Sequence, residues 1–91
     1  MSVTTFDIKN ITARTEADRR IFEFVRHLIN SGKIYYESEF YDNIGMAKQN
    51  YRSIKVGITS FSATFLKTIC ETYNINANWV FGLEKNMFRT D

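Results

Sequence analysis

The sequence predicts an all-α fold of five short helices in one compact domain. Three observations carry this: apolar residues recur at helical spacing along most of the chain, Pro is absent and Gly occurs only four times, and the apolar blocks are bracketed by residues that cap or break helices. The 91 residues are enough for one core and too few for two. Aliphatic and aromatic residues make up 44% of them, with eight Phe and five Tyr, a composition that folds rather than staying disordered.

Residues 1–14 are rich in Thr and show no period, so they read as an N-terminal arm of unassigned order. Thr15-Glu16-Ala17-Asp18 has the form of a capping box with Asp in place of Glu. Ile21, Phe24, Val25 and Leu28 then share one helical face, widened by Phe22 and Ile29, so helix 1 runs to about Asn30 with Gly32 as its left-handed terminator. A short helix 2 is expected from about Tyr36 to Asn43, with Phe40 and Ile44 as core residues and Gly45 making the turn. Helix 3 is expected from Ala47 to about Lys55. Tyr51 and Ile54 form its buried side, Lys48, Gln49, Arg52 and Ser53 lie on or beside the opposite side, and Gly57 closes it. Ser62 suits the N-cap of helix 4, whose buried face is Leu66, Ile69, Cys70 and Tyr73 and whose end is Asn74. Asn76 caps a last helix over Ala77 to Phe81 that brings Trp79 and Val80 inward before Gly82. The domain therefore occupies 15–84, and 85–91 is a tail, polar apart from Met87 and Phe88, whose side chains either pack loosely on the core or join a dimer contact.

Apolar runs are only a few residues long, which excludes a membrane span. The amino terminus lacks the apolar stretch of a secretory signal, so a cytoplasmic location is expected. Cys70 is the only cysteine and falls on an apolar helix face, reading as a buried structural thiol. The net charge is a modest +2, but its distribution is uneven. Between Glu16 and Asp42 six acids face four bases, whereas from Asn43 to Cys70 the only charges are Lys48, Arg52, Lys55 and Lys67. A cationic stretch without an acid suits a phosphate backbone.

The informative segment is Phe40-Tyr41-Asp42-Asn43-Ile44-Gly45-Met46-Ala47-Lys48-Gln49-Asn50-Tyr51-Arg52-Ser53-Ile54-Lys55-Val56-Gly57. Two short helices cross steeply only if the residue between them allows a tight turn and apolar residues from each lock the crossing. Gly45 meets the first condition, and Phe40, Ile44, Met46, Tyr51 and Ile54 meet the second. This pattern resembles the helix-turn-helix of phage-repressor and Cro-like (XRE-type) regulators. Ser62 to Asn74 resembles that family's fourth helix, and Ile75 to Glu84, with Trp79, Val80 and Gly82, its closing helix. The resemblance covers about Asp18 to Glu84.

It implies a lambda-repressor-like DNA-binding domain with the helix-turn-helix at helices 2 and 3. It further implies a sequence-specific transcriptional regulator of bacterial or phage type, a repressor, that lays the 47–55 helix in the major groove of double-stranded DNA. By the same resemblance, Lys48, Gln49 and Ser53 are the leading base-reading residues, with Arg52 and Asn50 second. Lys55, Thr59 and Ser60 are the phosphate contacts. A homodimer on two-fold symmetric half-sites is expected, formed through the closing helix, the tail or the arm. Two positions depart from the pattern: Tyr41 stands where Ala is usual, predicting a more open helix pair or a ring at its edge. Glu37 stands where the family often has a phosphate-contacting Gln, and its charge would repel a phosphate.

No cofactor or metal site and no enzyme activity is expected. His27 has no Cys partner at ligand spacing and reads as a semi-exposed helix residue, while Glu37, Glu39 and Asp42 read as an acidic solvated face. An alternative function is the same fold used as a protein-interaction module, antitoxin-like or a phage accessory protein, with Tyr35, Tyr36, Tyr41 and Phe61 as exposed aromatic anchors.

Overall fold

A computed structural model of the chain describes residues 11–90; most of the expected arm therefore lies outside the described residues. Five α-helices follow one another: α1 (Glu16–Asn30), α2 (Glu37–Asn43), α3 (Lys48–Lys55), α4 (Ala63–Tyr73) and α5 (Ala77–Val80). Each lies within a residue or so of where periodicity and caps placed it; Tyr36 and Ala47 are N-caps rather than first helical residues, and Phe81 is a C-cap. Among the described residues there is no strand, only an isolated antiparallel bridge between Ile75 and Phe88. Among the described residues no helix is long and apolar enough to cross a membrane.

The caps show why the helices start and stop there. Thr15, Ser62 and Asn76 accept bonds from the backbone N–H groups of Asp18, Phe65 and Asn78, relieving donors that have no intrahelical partner. Every helix is followed by a residue in the left-handed region, Asn74 after α4 and Gly after the others. At the end of α2, Gly45 has φ +72° and its N–H donates to Asp42 O at 3.1 Å, while Met46 N–H donates to Tyr41 O at 2.8 Å. This double closure satisfies the last carbonyls and turns Met46 back into the core.

The capping box at α1 is only half realised. Asp18 does not reach back to the N-cap backbone; its Oδ1 accepts from the backbone N–H of Phe61 at 3.0 Å, 43 positions away. The reason lies in the packing, since Asp18 is 1% exposed and the loop before α4 crosses the start of α1.

Helix α1 is the centre of the fold and packs against α2, α3 and α5, while α2 also packs on α3. Ile21, Phe22, Phe24, Val25 and Leu28 from α1 meet Phe40 and Ile44, Tyr51 and Ile54, Ile69, and Trp79 and Val80. Aromatic rings tie four helices together: Phe24 lies 5.0 Å from Tyr73, Phe22 5.5 Å from Tyr51, and Phe40 5.7 Å from Tyr73 (centroid to centroid). Such pairs add about 0.5–1.5 kcal/mol each beyond their buried area.

Two readings of single residues, and one of the tail, change with tertiary packing. Phe61, expected as an exposed anchor, is 5% exposed because its backbone is held by Asp18 and its ring lies 5.6 Å from Phe22. Cys70 is half-buried rather than buried, and burial pushes its thiol pKa up. The tail is not loose: Asn76 N–H donates to Met87 O at 2.9 Å, Arg89 Nε donates to Asn74 Oδ1 at 2.9 Å, and Phe88 packs on Phe24 and His27.

Candidate nucleic-acid interface

Helix α3 turns Tyr51 and Ile54 into the core, which rotates the remaining positions outward. Lys48, Gln49 and Arg52 are exposed, and Asn50 and Ser53 half-buried at its two edges. All five base-reading candidates thus lie on the solvent side of α3 or at its margins. Lys48 and Arg52 stand one turn apart, as residues i and i+4 of a helix do, and neither makes an ion pair among the described residues. The connection from α2 is four residues long, Ile44 to Ala47; Ile44 and Met46 are buried, so the link is anchored to the core on both sides of Gly45.

The phosphate candidates sit differently. Thr59 and Ser60 lie half-buried in the loop after α3, where the N–H groups of Ile58 and Thr59 both donate to Ser53 O, at 2.9 and 3.4 Å. Lys55 points to α2: its Nζ donates to both carboxylate oxygens of Glu37 at 2.9 Å. Glu37 also accepts from the Tyr51 hydroxyl at 2.5 Å. Burial, and then the Glu37 carboxylate, raise the Tyr51 pKa far above that of an ordinary phenol, so its hydroxyl stays protonated and donating.

The acidic solvated face expected on α2 is corrected at Glu37, which is half-buried, whereas Glu39 and Asp42 are exposed. Glu37 binds Tyr51 and Lys55, and Glu39 turns back so that Oε2 accepts from the N–H groups of Tyr35 and Tyr36, at 2.6 and 2.8 Å. Glu39 caps α2 from its third position, a role that Tyr36 at the N-cap disguises because the usual partner there is Ser or Thr. Tyr41 lies at the edge of the helix pair, partly buried, its ring 4.9 Å from that of Tyr51. Its bulk helps to shape a cleft of about 380 Å³ between α2 and α3, lined by Glu37, Ser38, Tyr41, Lys48, Arg52 and Val56 among others.

The start of the chain adds a residue that sequence reasoning did not single out. Thr12 N–H donates to Lys55 O at 3.0 Å, and Arg14 Nη1 donates to Ile58 O at 3.2 Å. These bonds lay 12–14 along the C-terminal end of α3 and put the exposed Arg14 guanidinium beside the loop that carries Thr59 and Ser60. No local pattern could reveal this, because the partners are more than forty positions apart.

His27 is exposed and lies against Phe24 and Phe88. Among the described residues no group of three His, Cys, Asp or Glu side chains gathers around a point where a metal ion could sit. Comparisons of the chain with protein-family models, curated proteins and solved structures found no match.

Proposed function

We propose that this chain is a sequence-specific DNA-binding regulator of the phage-repressor and Cro-like type, a repressor, in which α2 and α3 act as a helix-turn-helix and α3 enters the major groove. One observation carries the reading: α3 is anchored by Tyr51 and Ile54, preceded by a left-handed Gly45, and presents Lys48, Gln49 and Arg52 to solvent with no acid of its own. A single helix fits the major groove, and these side chains match its chemistry. Lys donates to guanine O6 and N7, Gln pairs with adenine N6 and N7, and each good contact discriminates by about 1–3 kcal/mol. In this reading Thr59, Ser60 and Arg14, which lie beside the end of α3, grip phosphate. Binding as a homodimer would supply the area that one small module lacks. The exposed Phe81 and Leu83, next to an apolar cleft lined by Leu66, Cys70 and Val80, are the surface suited to a second copy.

Selection of bound duplexes from a random pool tests this directly. The expected result is a preferred site of two-fold symmetry whose binding is lost in a Lys48→Ala, Gln49→Ala double variant. Absence of salt-sensitive DNA affinity, or equal binding by that variant, would refute the proposal.

The alternative use of the fold, as a protein-docking module, is favoured by one observation. Tyr35 and Tyr36 stand adjacent at 69% and 58% exposure. A stoichiometric protein partner lost on changing Tyr36 and Tyr41, yet indifferent to Lys48 and Arg52, would support it.

A further inference from the structure

Helix α4 turns Ile69 into the core and leaves Lys67 and Glu71 exposed. They have opposite charge and stand one turn apart, yet neither makes an ion pair among the described residues. Their order accounts for this: an acid four residues before a base pairs well within a helix, and the reverse order, which α4 has, pairs less well. Beside them lies a cleft of about 350 Å³ between α4 and α5, lined by Leu66, Cys70, Val80 and Phe81 together with Lys67 and Glu71. We infer that this face binds a second copy of the chain with the two α4 helices antiparallel, Lys67 of each copy set against the partner's Glu71. The inference rests on the homodimer of the reading above and deepens it, adding α4 to the contact and fixing its register.

A two-fold axis level with Ile69, midway between Lys67 and Glu71, brings each base to the partner's acid and each acid to the partner's base. One operation therefore satisfies both charges. The same operation sets the half-buried Leu66 and Cys70, also four positions apart, against the partner's Cys70 and Leu66, and so covers apolar surface that one copy leaves to water. Phe81, which lines the cleft at 57% exposure, extends that apolar surface onto α5. A face that carries its own complement in two-fold register fits a copy of itself, whereas an unrelated partner requires no such pairing of base with acid and apolar residue with apolar residue. Parallel helices would set like charge against like, which disfavours that arrangement.

The test is sedimentation equilibrium of the full chain at low salt, about 50 mM, where surface charges are least screened. Wild-type protein should dimerise. Lys67→Glu and Glu71→Lys, each alone, turn two attractive pairs into repulsive ones and should weaken dimerisation by about tenfold. Mixed in equal amounts, the two variants should recover a dimer of wild-type strength, because each then supplies the charge that the other lacks. In a parallel dimer like already faces like, so a single reversal would change little. Thermal unfolding of each variant verifies that folded proteins are being compared, and the mixture does so independently. If wild-type protein dimerises and neither reversal weakens it, or if the mixture fails to recover, the antiparallel α4 contact is refuted while a homodimer through another surface stands. If wild-type protein stays monomeric, the contact and the homodimer fall together, and DNA binding is judged by the duplex selection alone.

Discussion

Gly45 and Gly57 both close helices in the left-handed region, at φ +72° and +86°, yet replacing them with Ala should have unequal effects. At Gly45 an added Cβ meets nothing within 4 Å, so Gly45→Ala bears only the left-handed penalty of about 1–2 kcal/mol. At Gly57 the same atom would lie 2.3 Å from the backbone carbonyl oxygen of Thr12, which has no flexible end to move aside. The segment at residue 12 must then retreat, breaking its 3.0 Å bond to Lys55 O and adding about 0.5–1.5 kcal/mol to the same penalty. Circular dichroism melts should therefore place Gly57→Ala below Gly45→Ala by roughly 4–8 °C for each additional kcal/mol. Asn, which tolerates left-handed geometry, sharpens the comparison: Gly45→Asn should recover much of the loss, whereas Gly57→Asn should not, because its Cβ still meets Thr12. Equal melting temperatures for the two Ala variants, or rescue by Asn at both positions, would refute the claim that the 12–14 segment is seated on the end of α3.

Other changes follow from the same contacts. Asp18→Ala leaves the Phe61 N–H buried without an acceptor and should cost about 1–3 kcal/mol in urea unfolding, while Asp18→Asn, which retains an acceptor, should remain close to wild type. Cys70, its pKa raised from 9.0 by burial, should alkylate more slowly in the native protein than in the urea-unfolded chain throughout the mildly alkaline range. Glu84 accepts bonds from the side-chain amides of Asn76 and then Asn78, which hold its pKa below 4.5. A lowered carboxylate pKa stabilises the fold above the unfolded value and loses that contribution as pH falls through the folded one. Glu84→Gln should therefore reduce the acid-side fall in melting temperature from about pH 5 downward.

Much of the helical frame is local information. Thr15, Ser62 and Asn76 cap from within one turn, Gly45 and Gly57 end helices through their own φ, and the apolar stripe of α1 repeats every three or four residues, so each signal and its consequence lie within a few positions. The outward set Lys48, Gln49 and Arg52 was legible for the same reason: once Tyr51 and Ile54 are assigned to the core, helical geometry puts the others opposite.

The charge state of that face was not legible. Residues 43–70 contain no acid, but folding places Glu37 against Lys55, 18 positions away. Asp18 shows the same limit from the other side, since its local pattern suggested a capping box whereas the approach of Phe61, 43 positions later, takes its carboxylate. Chain composition and short-range periodicity determined which segments are helical and which side of each faces inward. Which polar groups meet was left to the tertiary fold, because a side chain at a helix margin binds the strongest donor or acceptor that packing delivers, and its spacing along the chain does not encode that neighbour.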